Sequence, residues 1–522
     1  MVYTSPFPDV AIPEVPLTQF LFEGAATRAD KPALIDGPTG RTLTYGQLVG
    51  AIRLVASSLA KRGLKKGDVF AIYSPNLPEY AVAFHAVASL GAINTTVNPL
   101  YTAHELANQL KDAGARYILT IPQFLPNAQA AAQEVGGIEE IFVFGEAEGA
   151  TPFGSLLKSD GQLPPVEINP KEDLLVLPYS SGTTGFPKGV MLTHYNLVAN
   201  ITQCVATPAS PENEVQESDV VLGLLPFYHI YGMVVVMSWA LYKGATVVTM
   251  PRFDMEQFLG TLQKYAITNA ILVPPIILGL AKHPVVAQYD LSKMRVVVSG
   301  AAPLGADLEA AVHQRLNVSV MQGYGMTEAS PVTHFRGITP PGKPKGGSVG
   351  APIPNTQVRV VDVATGEDLG PNQDGELLIW GPQVMKGYLN NPGATAATVD
   401  EDGWLHTGDI GYADEDCYFW IVDRVKELIK YNAYQVAPAE LEAILVTHPA
   451  VADAAVVGVR DEAAGELPKA FVVRRGEVTE EEIMAFVAER VAPYKRIRIV
   501  EFIDQVPKSP TGKILRRMLK AM

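Results

Sequence analysis

From about Leu34 to Arg359, strand-like and helix-like stretches alternate, and this alternation restricts the fold more than any other feature of the chain. Runs such as DVFAIYS, ARYILTI, EEIFVFG, ATVVTM and MRVVVSG read as strands, and YGQLVGAIRLVASSLAKRG and PEYAVAFHAVASLG read as helices. Strand and helix in turn build parallel sheets covered by helices, with enough repeats for a large α/β body. From about Gln357 to Tyr418 the pattern shifts to short strands and turns, TQVRVVD, GELLIWG and CYFWIVD, which makes a β-rich appendage. After DRVKE it changes again, into a compact α+β piece of about a hundred residues. There PAELEAIL carries Pro438 in its first turn and Leu441, Ile444 and Leu445 on one face. TEEEIMAFVAERV opens with a capping box, Thr479 to Glu482, and is expected to bury Ile483, Phe486, Val487 and Val491. VADAAVVGV and KAFVVRR read as strands between these helices. The expected division is an N-terminal unit over 1–422, with its β-rich part at about 357–422, a hinge at 423–426 and a mobile C-terminal unit over 427–522.

Composition narrows the function. A chain of 522 residues exceeds one simple core. A formal charge of -14 argues against nucleic acid as the main partner, because neutralising phosphates needs a basic face. Cys204 and Cys417 stand far apart without metal-ligand spacing, so neither a disulfide framework nor a structural zinc site is expected, and a reducing cytoplasm fits. The start, MVYTSPFPDVAIPEVPLTQF, lacks the basic and apolar regions of a signal peptide. YGMVVVMSWALY is too short for a membrane span, and AILVPPIILGLA is broken by Pro274 and Pro275.

Residues 179–190, YSSGTTGFPKGV, carry the first chemical signal. The Walker spacing fails, since counting from Gly182 puts Pro187 in place of the second glycine, and Gly189 follows Lys188. The chemistry still suits phosphate. Ser180, Ser181, Thr183 and Thr184 supply hydroxyls, glycines permit close backbone approach, and Lys188 adds a point charge to a nest of N–H groups. The loop follows the buried-strand pattern LLVLPY and leads into a short strand and a helix that Thr193 or Asn196 is placed to cap.

Five more motifs follow in order: SGAAPLG (299–305), QGYGMTE (322–328), GWLHTGD (403–409), DRVKELIK (423–430) and PKSPTGKILRR (507–517). With the serine/glycine loop they resemble the adenylate-forming enzymes, which include acyl-CoA synthetases, 4-coumarate:CoA ligases and firefly luciferases. The likeness covers nearly the whole chain and is greatest to the 4-coumarate:CoA ligase branch. It implies that a small-molecule carboxylic acid attacks the α-phosphate of ATP with Mg2+, giving an acyl-adenylate and pyrophosphate, and that an acceptor then takes the acyl group.

The resemblance also implies roles. Pyrophosphate would lie on Ser180, Ser181, Gly182, Thr183, Thr184 and Lys188. Mg2+ would be held by Glu328 and Thr184, with Thr327 beside it. Gln322, Gly323 and Tyr324, with Ala301 and Ala302, would form the adenine slot, and Asp409, assisted by Arg424, would accept the ribose hydroxyls. Lys426 and Gln435 join the nucleotide-contacting set. Lys513 would stabilise charge in adenylation, and Lys430 would be brought in after the small unit rotates about 423–426. His229 would gate or position between the acyl pocket and the acceptor tunnel rather than act as a general base. Tyr231, Val235, Val298, Gly300 and Gly323 would line the acyl pocket.

Two departures from the family pattern matter. Val298 stands where plant 4-coumarate:CoA ligases commonly carry a lysine suited to a phenolic hydroxyl, so an apolar aryl or alkyl acid is expected. KYNAYQ stands for the family's usual KYKGFQ, so Asn432 and Ala433 replace a lysine–glycine pair associated with coenzyme A. Coenzyme A is the first expected acceptor. The alternative is an amide ligase using an amine or amino acid, ahead of a luciferase-like oxygenase. A non-catalytic binding module fits poorly with a chain that retains Lys188, Glu328, Asp409, Arg424 and Lys513 together.

Overall fold

The computed structural model describes residues 1–180, 187–208, 213–336, 345–431, 434–461, 464–509 and 512–522. At its centre, Val69–Tyr73 runs parallel to Ile93–Val97 on one side and Ala115–Thr120 on the other. All five residues of Val69–Tyr73 are buried, as expected for a strand covered on both faces. Leu174–Ser180 extends this sheet in parallel, then turns back antiparallel as Lys188–Thr193, with Gly387–Tyr388 at the edge. A second sheet sets Pro32–Asp36, Thr246–Thr249, Val220–Gly223, Asn269–Leu272, Val296–Ser299 and Ser319–Gly325 side by side in parallel. Val332–Phe335 then closes back antiparallel.

The helices start where local chemistry predicts. Tyr45–Lys61 has a Thr44–Gln47 capping box, and Pro78–Ser89 has proline in its first turn. Of the two candidate caps before His194–Ala206, Thr193 is the N-cap, and Asn196 completes its capping box.

The β-rich sheet holds Gln357–Val361, Gly375–Trp380, Leu405–Ala413 and Phe419–Arg424, all antiparallel. It also takes in Val2–Thr4, paired with Gln357–Val361, which the proline-rich start of the chain does not announce. The last sheet contains Ile429–Tyr431, Tyr434–Val436, Val451–Asp461 and Gly465–Arg474, and it adds Ile499–Phe502 in parallel, a strand not anticipated. Its core gathers Leu441, Leu445, Val456, Val472, Ile483 and Val487. Ile444, Phe486 and Val491 are only partly buried. Phe486 serves instead as a platform, with His448 edge-on at 4.7 Å and the Arg490 guanidinium 3.7 Å from the ring centroid. Among the described residues, no helix is long and apolar enough to cross a membrane.

One close backbone approach sets the wall on which His229 sits. Gly232 lies so near the preceding loop that an added Cβ would stand 2.1 Å from the Pro226 carbonyl oxygen and 2.6 Å from that of Leu225. Gly232→Ala is therefore expected to cost about 1–3 kcal/mol by overpacking. A urea midpoint unchanged from the wild type would contradict this packing.

Candidate active site

The carboxyl ends of the parallel strands open into a cavity of about 600 Å³. On one side, Ser180 and Lys188 face each other across the antiparallel pair that ends Leu174–Ser180, and both line the cavity. Ser181, Gly182, Thr183 and Thr184 lie outside the described residues, as do Asn432 and Ala433.

Asp409 and Arg424 are cross-strand neighbours, which explains how two separate motifs meet. Arg424 Nε lies 3.1 Å from Asp409 Oδ1, and the Tyr324 hydroxyl donates to Oδ2 at 2.7 Å. The Asp409 backbone N–H donates to Thr407 Oγ1 at 3.0 Å. Burial, and then the Asp409 charge, hold the Tyr324 hydroxyl well above its ordinary pKa, so it stays a donor.

Gly323, Tyr324 and Ala301 line the same cavity, with Ala301 held at φ 69, a left-handed conformation unusual for alanine. Ala302 is not part of the wall. Nor is Gln322, whose buried amide is spent on the Leu304 backbone: Oε1 accepts from Leu304 N–H at 3.3 Å and Nε2 donates to Leu304 O at 3.1 Å. Its side chain ties down the 299–305 loop instead of facing the cavity.

Glu328 sits on the short turn Thr327–Ala329, and both Thr327 and Glu328 reach the cavity. The Tyr388 hydroxyl donates to Glu328 Oε1 at 2.8 Å. A divalent cation suits this carboxylate. Among the described residues no three His, Cys, Asp or Glu side chains cluster as a metal cage. Thr184, the second ligand expected from the sequence, lies outside the described residues, and phosphate oxygens and water suit the rest of a magnesium shell.

Lys513 enters from the C-terminal unit. Ser509 N–H donates to Lys513 O at 2.8 Å, Lys513 N–H donates to Ser509 Oγ at 3.1 Å, and Gly512 has φ 78. Burial, and next the Arg424 charge, lower the Lys513 ammonium to about 8. His229 is lowered to about 4, by burial first and Lys513 second, so it is neutral near pH 7. Its Nδ1 accepts from Tyr231 N–H at 3.3 Å. Lys426 lines the cavity, whereas Lys430 is exposed on Ile429–Tyr431, with Gln435 opposite it in register.

Tyr231, Val235 and Val298 form an apolar wall. Gly300 makes room for it, since a Cβ there would lie 2.6 Å from the Tyr231 hydroxyl oxygen. The sequence reading missed Trp239, Val332 and Phe335 on the same wall. Trp239 could have been found, for it continues the four-residue step from Tyr231 to Val235 along one helical stretch. Tyr388, Glu376 and His406 were also missed, as was a polar stretch of wall with Thr96, Asn98, Tyr101, Gln109 and Tyr228. His406 stands inside the GWLHTGD motif, while the others carry no local sign.

Comparisons with known proteins identify the family and the fold. The family model described as AMP-binding enzyme matches residues 21–389, and that described as AMP-binding enzyme C-terminal domain matches 440–513. A 4-coumarate–CoA ligase of Pinus taeda is 47% identical over 528 residues, spanning 100% of this chain and 97% of that protein. The anthranilate CoA ligase AuaEII, solved with anthranoyl-AMP, superposes with a TM-score of 0.90 at 26% identity, covering 98% of each chain. ATP-bound MatB from Rhodopseudomonas palustris gives a TM-score of 0.87 at 28% identity, covering 98% of this chain and 99% of its own. The chain belongs to the AMP-binding enzyme family and is an adenylate-forming ligase.

Proposed function

We propose that this enzyme activates an apolar aryl or alkyl carboxylic acid as its acyl-adenylate and passes the acyl group to coenzyme A. One observation carries the reading: a single cavity joins Ser180 and Lys188, the Asp409–Arg424 pair, Glu328 and Lys513 to an apolar wall of Tyr231, Val235, Val298, Trp239 and Phe335. The names of the relatives support an acid–thiol ligase, and anthranoyl-AMP in a relative of the same fold supports an aryl acid. Val298 leaves no cation or donor for a phenolic hydroxyl at its position, which favours an acid without one.

In the first half-reaction a carboxylate oxygen attacks the α-phosphorus, the bond to the β-phosphate bridging oxygen breaks, and pyrophosphate leaves. Lys513 would face the charge that develops on the α-phosphate, Lys188 would hold the departing phosphates, and Asp409 would accept the ribose hydroxyls. Magnesium would supply phosphate charge neutralisation, with Glu328 and Thr184 as its protein ligands. In the second half-reaction the thiol sulfur attacks the acyl carbonyl, loses its proton, and AMP leaves. Neutral His229 is too weak a base to take that proton near pH 7, which supports a gating place beside the acyl wall. Asn98 and Tyr228 would offer amide and hydroxyl partners to an amide-containing arm such as pantetheine, whereas the Thr96 hydroxyl and the Gln109 Nε2 are bonded to the Tyr228 and Thr96 carbonyls behind them.

Lys513→Ala should lower carboxylate-dependent ATP–pyrophosphate exchange by about 10²- to 10³-fold or more while ATP binding persists. The charged form of Lys513 dominates below about 8 and is lost above it, so kcat/KM should fall on the alkaline side with a midpoint near that value. Lys513→Arg should move that limb upward. Exchange at the wild-type rate in the alanine variant would reject the assignment.

The two half-reactions require different placements of the small unit, with rotation about 423–426. Lys426→Pro restricts that segment and should spare adenylation but slow acyl transfer. Single-turnover kinetics on preformed adenylate separate the steps, and equal losses in both would argue against rotation.

One acid offered coenzyme A in competition with amino acids should yield thioester by mass spectrometry. Asn432→Lys with Ala433→Gly should increase that yield if the departure at these positions weakens coenzyme A binding. Predominant amide from the unmodified enzyme would establish the amide ligase instead.

A further inference from the structure

Tyr388 lies between two opposite charges that the proposed chemistry uses. Its ring centroid is 4.8 Å from Lys188 Nζ, and its hydroxyl donates to Glu328 Oε1 at 2.8 Å. Among the described residues, neither Lys188 nor Glu328 joins an ion pair, and Tyr388 is the one donor to the Glu328 carboxylate. The phenol is 6% exposed, and its place is set by backbone. Lys386 N–H donates to Met191 O at 3.0 Å and Leu389 N–H to Gly189 O at 2.8 Å, so the Gly387–Tyr388 strand is stitched to the one that begins with Lys188. Gly387 has φ 141, and a Cβ there would meet the Thr395 methyl at 2.8 Å, so this close seat needs glycine. Thr395 Oγ1 also accepts from Tyr388 N–H at 2.9 Å.

A lysine and a glutamate on one cavity wall would ordinarily pair directly, and each would then be neutralised before a substrate arrived. The phenol offers each a weaker partner: a π face for the ammonium and a single hydrogen bond for the carboxylate. We propose that Tyr388 is a positioning residue that holds Lys188 and Glu328 apart as an unneutralised pair, keeping the cation for the phosphates and the carboxylate for the divalent ion. This inference rests on the adenylation reading and names a residue that no motif marked.

Two variants separate the ring from the hydroxyl. Tyr388→Phe keeps the π face, so ATP affinity measured by calorimetry in EDTA should stay within about twofold of wild type, while half-saturating Mg2+ in pyrophosphate exchange should rise about tenfold, the scale of one hydrogen bond to a charged group. Tyr388→Leu frees Lys188 to pair with Glu328 and should also weaken metal-free ATP binding by about tenfold. Adding Glu328→Gln in the leucine background should restore that affinity, because the capturing charge is gone. Equal shifts of both readouts in the phenylalanine variant, or a leucine defect that Glu328→Gln fails to relieve, would overturn the proposal. Absence of carboxylate-dependent exchange in the wild type would reject the adenylation reading alone, since the metal-free titrations still decide the role of Tyr388.

Discussion

The ammonium of Lys513 shares its cavity with the guanidinium of Arg424, and the charge balance of the site turns on bringing such cations together. Burial and Arg424 both lower the lysine pKa, whereas Asp409 and Glu427 oppose the shift. Lys188 and Lys426 line the same cavity, so cations reach it from the first sheet, the β-rich sheet's last strand and the C-terminal unit. Asp409, Glu328 and Glu376 offset part of that charge, and any remaining excess is costly in a partly desolvated space unless something negative joins it. A triphosphate is suited to do so, and Lys513 brings its share of the positive charge from the C-terminal unit.

The Asp409–Arg424 pair shows what local sequence can convey. Each residue sits in a short motif whose chemistry was legible, and antiparallel register makes them touch. Gln322 shows the limit. Its motif identified a strand end at the cavity but not which atoms face it, and the amide turns out to hold Leu304 from behind. Tyr388 shows a second limit. It stands 60 residues beyond Glu328, and the contact exists because an edge strand two residues long returns to Lys188–Thr193. Period and motif reading register contacts along the chain, whereas such a return is fixed by tertiary pairing.

The larger architecture was easier to read because burial dictates it. Fully apolar runs such as VFAIY have few places to go except a sheet covered on both faces. Strands at the margins depend instead on partners supplied by distant chain. Val2–Thr4 is exposed, buried and exposed in turn, and it becomes a strand because Gln357–Val361 presents an edge to it. Phe486 lies at the right spacing for the core of its helix, yet that small domain is already filled by Ile483 and Val487, and the ring takes His448 and Arg490 at the surface.

Asp423 ties the last strand of the β-rich sheet to the first helix of the C-terminal unit. Its carboxylate accepts from Arg424 N–H at 2.7 Å on its own strand and from Ala439 N–H at 2.9 Å in the first turn of Pro438–Leu445. The neighbouring bonds are of another kind. Arg516 grips both oxygens of Glu442 at 2.7 and 2.8 Å, and Glu442 accepts from Val456 N–H at 2.8 Å, all within the C-terminal unit. The rotation proposed about 423–426 would instead give up the Ala439 bond, leaving a buried carboxylate with one fewer donor and a helix with an unsatisfied N–H. The turn at 424–428, where Glu427 and Leu428 N–H groups both donate to Arg424 O, lies between these two anchors. Apolar contacts share this seam with the polar ones, since Ile410 of the β-rich sheet is buried with Leu428 and Ala437, and Val422 and Val425 pack against them.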